Sequence, residues 1–313
     1  MSVAAVVIGR NEGARLIACL QSLRGLSPVI YVDSGSTDGS VAAARRLGAT
    51  VVELDMTQPF TAARARNAGL SALPDSTDLV QFLDGDCVLD AGWIATARQF
   101  LQGHPEVAVV CGRRREIAPD ASVYNRLIDR EWDTPPGAAK ACGGDALMRV
   151  APLRGVGGYR ESLIAGEEPE LCVRLRQAGW GIWRLDAEMT AHDAQVTKFG
   201  QWWRRTVRAG YAFAEGAALH GAAPERHWVR ERRRALVWGA GVPLVIAGAV
   251  LVAGPVALLG LLVYPVQVLR LARHGGWAWA FFTVLGKFAE ARGALGYLTD
   301  QMRNRRRGII EYK

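Results

Sequence analysis

The stretch VAAVVIGRNEGARLIACLQSLRGLSPVIYVD, residues 3–33, decides the fold. It opens with a short valine-rich apolar run at 3–9 and passes through the polar turn RNEG. It then places Leu16, Ile17, Leu20 and Leu23 at helical spacing before a second apolar run, VIYVD, at 29–33. This is strand, loop, helix, strand, and the unit repeats. The turn SGSTDGS leads into the helix SVAAARRLG, closed by Gly48, and then into a third strand, TVVELD, at 50–55. Such a βαβαβ start predicts a parallel, doubly wound sheet. ARARNAGLSAL (63–73) continues as a helix, and DLVQFLD (78–84) is apolar without alternation, as a strand buried on both faces is. Ligands of such sheets bind beyond the carboxyl ends of the strands. Those ends carry Arg10 and Asn11, Asp33, and Asp84 with Asp86.

With 313 residues, 50% of them hydrophobic, the chain can bury a full core and carry more than one domain. The net charge of +8 does not mark a nucleic-acid groove, because the basic residues crowd the last third in RERRRA, RLARH and MRNRRR, as membrane flanks do; no nucleic-acid partner is expected. The five cysteines are scattered without CxxC pairs, so neither a zinc framework nor a disulfide framework is indicated, and a reducing cytosol fits best. MSVAAVVIGRNE has no basic leader before its apolar run and does not read as a cleavable signal peptide.

From about residue 224 the composition changes. PERHWVRERRR leads into a run with no charged residue between Arg234 and Arg270. One span needs roughly 20 residues, so this run makes two short helices, split near Gly254 and Pro255. Basic clusters at both outer ends and none at the split put both ends in the cytosol, a hairpin over about 235–272; a shallow re-entrant pair is the alternative, given Pro243, Pro255 and Pro265. Residues 276–300 are expected to form an interfacial amphipathic helix or a third span. The expected organisation is a catalytic domain over 1–222 and a membrane-associated region over 223–313. The expected location is the inner (cytoplasmic) membrane, with the catalytic domain facing the cytosol.

VQFLDGDCVLD, residues 80–90, delivers two aspartates one residue apart. Two carboxylates at the end of a buried strand are costly unless a cation or ligand hydroxyls satisfy them, and a hard divalent metal shared with a phosphate would do so. Alone, the motif is equally a solvated turn.

VVIGRNEGARLIACLQSL, YVDSGSTDGS, ARARNAG, FLDGDCVL and AGEEPELCVRLRQAGW, in that order, resemble the segments of family 2 glycosyltransferases, the inverting enzymes of GT-A fold. The resemblance covers about residues 3–205. It implies an α/β, Rossmann-like nucleotide-sugar-binding domain with a mixed, mainly parallel sheet, here followed by C-terminal membrane helices. It also implies a nucleoside diphosphate sugar donor, expected to be UDP-linked, a divalent Mn2+ or Mg2+, and displacement with inversion. By the same resemblance Asp86 holds the metal, Asp84 contacts the donor ribose or sugar, and His192 is a further metal ligand. The acidic pair, usually Glu-Asp, is here Glu167-Glu168, which makes Glu168 the general base with Glu167 as the alternative; the same residues also suit a helix N-terminus. Asp33, Arg66 and Asn67 are assigned to the nucleoside, with Arg10 and Asn11 at the donor. Ser34 replaces the second acid that often follows the position of Asp33.

QWWRR (201–205) resembles the QxxRW segment of processive polysaccharide synthases but has Arg205 in place of the tryptophan; Arg204 is a candidate diphosphate contact. An interfacial helix with Trp202 and Trp203 at headgroup depth is the plainer reading.

The leading expectation is a membrane-associated transferase acting on a lipid-linked or glycan acceptor, with polyprenyl phosphate, a lipid-linked saccharide and a glycolipid all open. DGDCV also mimics the nucleophile motif of haloacid-dehalogenase phosphatases, although three strands precede it here. A non-catalytic sugar-nucleotide-binding protein is a third reading. A dinucleotide oxidoreductase is disfavoured because VVIGRNEGARL lacks the GxGxxG glycines.

Overall fold

In the computed structural model, which describes residues 1–305, 308 and 310, the chain forms two compact units that divide between Gln195 and Val196. Arg306 and Arg307 of the terminal basic cluster lie outside the described residues.

The first unit is built on a nine-stranded sheet. In chain order its elements are β1 (Val3–Gly9), α1 (Ala14–Ser22), β2 (Val29–Asp33), α2 (Ser40–Arg46), β3 (Thr50–Glu53) and α3 (Ala62–Ser71), then β4 (Leu79–Asp84), β5 (Cys87–Leu89), α4 (Trp93–Gly103) and β6 (Val107–Glu116). There follow α5 (Val123–Trp132), β7 (Gly137–Ala138), β8 (Ala146–Arg149), α6 (Val150–Gly155), α7 (Glu167–Gln177) and β9 (Gly181–His192). The strand order is β3-β2-β1-β4-β8-β6-β9-β5, with β7 paired to β9.

β1 to β4 pair in parallel, as the repeated strand–helix pattern predicts, and β6 pairs in parallel with β9. β8, β5 and β7 run antiparallel to their neighbours and make the sheet mixed. β4 is buried up to its last residue, and the polar Gln81 within it accepts a hydrogen bond from Trp93 Nε1 at 2.8 Å, so no amide oxygen is stranded in the core.

Register aligns the strand ends. Gly9 lies opposite Asp33, and Ile8 opposite Asp84. The carboxyl ends of β1, β2 and β4 therefore finish on one line, which is where a doubly wound sheet presents its ligand groups. On the other side of the sheet, Cys87 of β5 pairs with His192 of β9, and Glu116 of β6 pairs with the same histidine. IWRLD, 182–186, reads from sequence as the last strand; β9 runs on from it to His192, its final residue.

The second unit is helical: α8 (Phe199–His220), α9 (Val229–Leu236), α10 (Val242–Ala253), α11 (Val263–Gly275) and α12 (Trp277–Met302). α8, which the sequence reading grouped with residues 1–222, belongs to this unit. Two continuous helical stretches, Val229–Ala253 and Pro255–Gly275, each contain an 18-residue window, of mean hydropathy 2.2 and 1.7, that is almost wholly unburied, so they are long and apolar enough to cross a membrane. They break at Gly254, whose φ of 75° no β-carbon-bearing residue adopts readily, followed by Pro255, which starts the next helical stretch. α12 is not a simple surface helix. Its small residues, among them Gly286, Ala289, Gly293 and Ala294, are buried, and Gly293 packs directly against the backbone of Val207 on α8. Within α8, Gln201 accepts hydrogen bonds from the Thr197 and Lys198 amides, both at 3.0 Å, and Trp202 is buried against Phe282. QWWRR thus opens and anchors a helix.

Candidate active site

Asp84 closes β4, and its carboxylate meets two arginines, Arg66 Nη2 at 2.8 Å and Arg114 Nη2 at 3.6 Å. Arg66, in the middle of α3, also holds Glu167 Oε1 at 2.8 Å and Glu168 Oε1 at 2.9 Å. One guanidinium therefore gathers the DGD turn and the acidic pair, segments far apart in the chain. Arg66 is only 2% exposed, and a charge so buried persists only with close anionic partners. Both of its Nη groups are taken by carboxylates, whereas its buried Nε has no hydrogen-bond partner. Arg114 in turn donates from Nε to Asp145 Oδ2 at 2.8 Å, an oxygen that also accepts from Thr190 Oγ1 at 2.7 Å, and its guanidinium lies 5.1 Å from the Trp132 ring centre.

In this cluster two guanidinium cations, Arg66 and Arg114, face four carboxylates, Asp84, Asp145, Glu167 and Glu168. The acids outnumber the bases, and the excess shows in protonation. Burial pushes the Glu168 carboxyl up to about 7; Arg66 pulls the other way, while the charges of Glu167 and Asp84 add to the rise. Asp145 behaves oppositely. Burial disfavours its charge, yet Arg114 and Thr190 hold it below the usual carboxylate range. Glu168 stands in the first turn of α7, whose first turn also carries Glu167 and Glu170; Glu170 is occupied structurally by Arg160 and Arg174.

Asp86, two residues beyond Asp84, is buried and has His192 Nε2 at 3.3 Å from its Oδ1. Burial works against a charged His192, but the carboxylates of Asp86 and Glu116 raise its pKa. Glu116 Oε2 stands 3.9 Å from His192 Nδ1, and Trp132 packs edge-on to the ring at 4.7 Å. Ligand atoms of Asp84, Asp86, Cys87 and His192 all fall within 4.8 Å of one another. A buried carboxylate beside an imidazole is a donor set that suits a divalent transition metal such as Mn2+ better than Mg2+, which favours all-oxygen surroundings. The residues present fit a divalent cation.

The remaining sequence candidates have separate places. Asp33 accepts from Tyr31 Oη at 2.9 Å and from the Gly35 and Ser36 amides at 2.9 and 2.8 Å, so it shapes the SGSTDGS turn at the end of β2. Asn11 Oδ1 accepts from the Thr37 amide at 2.7 Å and ties the turn after β1 to that same loop; Arg10 beside it is exposed. Asn67 faces away from its neighbour Arg66 in its bonding. Its Oδ1 accepts from the Tyr159 amide at 2.8 Å and its Nδ2 donates to the Tyr159 carbonyl at 2.8 Å, which pins a loop. Arg204 lies exposed on α8 of the second unit.

Three cluster residues carried no usable sequence signal: Arg114 in a run of three arginines, Asp145 in CGGDAL, and Cys87. Gly144 could have been suspected from its glycine pair. A β-carbon there would lie 2.6 Å from Arg66 Nη2, 2.9 Å from Asp84 Oδ2 and 3.2 Å from Glu168 Oε1. Gly144→Ala is expected to displace these groups, costing about 1–3 kcal/mol by overpacking and roughly 100-fold in turnover through misplacement of about an ångström. Thermal melting read beside kcat/KM checks this: a melting loss without a turnover loss contradicts it.

The aligned strand ends bring the DGD turn and the acidic pair together around one arginine at one edge of the mixed sheet. Residues 4–152 match the Glycosyl transferase family 2 model. It is 30% identical over 276 residues to a protein named "Pre-mycofactocin glycosyltransferase" from Mycobacterium tuberculosis, a match covering 80% of this chain and 51% of that one. The chain thus spans about half the length of this curated relative. Among solved structures it resembles the mannosyltransferase PcManGT from Pyrobaculum calidifontis in complex with GDP-Man and Mn2+, with TM-score 0.66, 20% identity, and coverage of 94% of this chain and 86% of that one. It also resembles S. aureus TarS 1–349 in complex with UDP-GlcNAc, with TM-score 0.50, 15% identity, and coverage of 97% and 93%.

Proposed function

We propose that this chain is a membrane-tethered, metal-dependent, inverting glycosyltransferase that moves a sugar from a nucleoside diphosphate donor to a lipid-linked or glycan acceptor. The observation that carries this reading is the joining of Asp84, Glu167 and Glu168 on Arg66, next to the Asp86–His192 pair. A donor-side turn and a base thereby share one small region.

Glu168 takes the proton of the acceptor hydroxyl. With a pKa of about 7 it is largely ionised just above neutrality and still basic enough to accept that proton. The acceptor oxygen forms its bond to the anomeric carbon as the bond to the diphosphate oxygen breaks on the opposite face, and the proton stays on Glu168. Arg66 holds the base and the DGD turn in fixed relation, and Glu167 keeps Arg66 charged and in place. Asp86 and His192 would hold the divalent cation, which when bound neutralises the departing diphosphate. Asp84, 30% exposed at its side chain, is free enough on its outer edge to meet donor hydroxyls.

The uncharged stretches around Gly254 and the basic residues at both of their outer ends support a membrane hairpin with its ends in the cytosol, at the inner membrane. A tether favours a lipid-borne acceptor, polyprenyl phosphate included, because it confines the search to a surface. The resembled structures hold GDP-Man and UDP-GlcNAc, so the base of the donor is an experimental variable; UDP-linked sugars come first.

Calorimetric titration of UDP and GDP with and without Mn2+ tests the site. One nucleotide is expected to bind at least tenfold more tightly with Mn2+, and Asp86→Ala is expected to lose that gain. Equal binding with and without the ion would sink the assignment of Asp86.

A further inference from the structure

The thiol of Cys87 is not accounted for by the transfer chemistry. It is completely buried at the start of β5, next in sequence to Asp86, with its Sγ 3.8 Å from Asp86 Oδ1. Cross-strand pairing sets it directly opposite His192, so sulfur and imidazole stand on the same face of two neighbouring strands. The Cys87 sulfur belongs to the same group of donor atoms as Asp84, Asp86 and His192, none of them more than 4.8 Å from another. Sulfur and nitrogen ligands at a tetrahedral angle on one ion are about 3.6 Å apart, given metal–sulfur and metal–nitrogen bonds of about 2.3 and 2.1 Å. The group therefore closes on an ion with side-chain movements of up to about an ångström.

Asp84 is already paired to Arg66 and Arg114, which leaves Asp86, His192 and Cys87 as the donors. Burial pushes the Cys87 thiol up, so a cation bound there would displace its proton.

We infer that Cys87 is a direct ligand of the cation held by Asp86 and His192, making this a mixed oxygen, nitrogen and sulfur site that selects thiophilic divalent ions such as Co2+ and Zn2+ over Mg2+. Three protein donors leave coordination positions open for diphosphate oxygens, the pattern of catalytic rather than structural sites. The inference rests on the metal reading given above and adds the third donor to it.

Cobalt reports both parts separately. The full chain, purified in detergent micelles, stripped of metal and kept reduced without added thiols, is titrated with Co2+ and followed by absorption. Saturable visible d–d bands report binding, and a near-ultraviolet thiolate-to-cobalt charge-transfer band reports a sulfur ligand. The wild type is expected to show both, with Zn2+ displacing the cobalt and equimolar Mg2+ failing to do so. Cys87→Ser and Cys87→Ala are expected to lose the near-ultraviolet band, keep visible bands, and bind Co2+ tenfold or more weakly.

Cys142 and Cys172, whose sulfurs adjoin at 3.6 Å, are the other place a soft cation could lodge, so Cys142→Ser is the control and should keep the band. Visible bands without the near-ultraviolet band in the wild type, or a band that survives in both Cys87 variants, overturns the role of Cys87 and leaves the Asp86–His192 site standing. No saturable binding in the wild type, or a spectrum unmoved by Asp86→Ala, overturns the metal site itself and the inference with it. The wild-type spectrum alone already decides whether sulfur binds, so a Cys87 variant that fails to fold does not rescue the inference.

Discussion

Glu168→Gln is expected to lower kcat by a factor of 100 to 10,000, the range over which general bases act, while donor affinity changes little. The amide keeps the shape of the side chain and its oxygen can still accept from Arg66, but it cannot take a proton. The wild-type pH profile should agree. With the base at about 7, kcat/KM rises with pH through that value and levels off above it, because only the ionised carboxylate accepts the acceptor's proton. Glu168→Asp, one methylene shorter, should retain an acid limb at a shifted midpoint, whereas Glu168→Gln should have none. A full-rate Glu168→Gln, or a flat profile between pH 5 and 9, would move the base elsewhere, first to Glu167.

Arg66→Met should cost about 3–5 kcal/mol of stability, the usual penalty for removing one partner of a buried ion pair. Asp84, Glu167 and Glu168 would face one another across the vacated space. The loss carries a pH signature. Without Arg66 these carboxyls have folded pKa values raised above their unfolded ones of about 4. They take up protons on folding, and stability falls as pH rises through that window. The deficit of the variant against wild type should therefore be largest near pH 8 and smaller near pH 5. A deficit independent of pH would mean that the lost packing of the arginine stem, not its charge, is what the fold requires. Arg66→Lys, which keeps a charge but loses the fork, is expected to fall between the two.

Much of the fold was legible because parallel strands buried on both faces announce themselves as unbroken apolar runs; residues 3–9, 29–33 and 78–84 appear as β1, β2 and β4 with almost unchanged limits. The break at Gly254 and Pro255 was equally plain, since a helix cannot run through that pair. The antiparallel strands were not. β5 has three residues and β8 four, too short for a period to show, and β9 runs on through the polar-looking AEMTAH, in which Met189, Thr190 and His192 are buried and Glu188 is exposed.

In the candidate site, Asp84, Asp86, His192 and the acidic pair stood out as acids and a histidine in suggestive positions. What the sequence did not disclose was the pairing among them. The resemblance placed Arg66 at a nucleoside, and tertiary burial makes it the hub of three carboxylates. Asn67 likewise meets the Tyr159 backbone, 92 residues away, a contact no local pattern encodes. Arg114 and Asp145 are brought to Asp84 by antiparallel strands whose existence went unread.

The most direct measurement is turnover by the purified full chain in membrane-lipid micelles. It would be offered a panel of nucleoside diphosphate sugars, with Mn2+ or with chelator, beside Glu168→Gln and Asp86→Ala. Consumption of one donor with Mn2+, transfer of its sugar to added polyprenyl phosphate or lipid-linked saccharide, and loss of both in either variant is the predicted result. Binding of a donor without consumption, or turnover equal in wild type and both variants, would contradict the assignment of this site to glycosyl transfer.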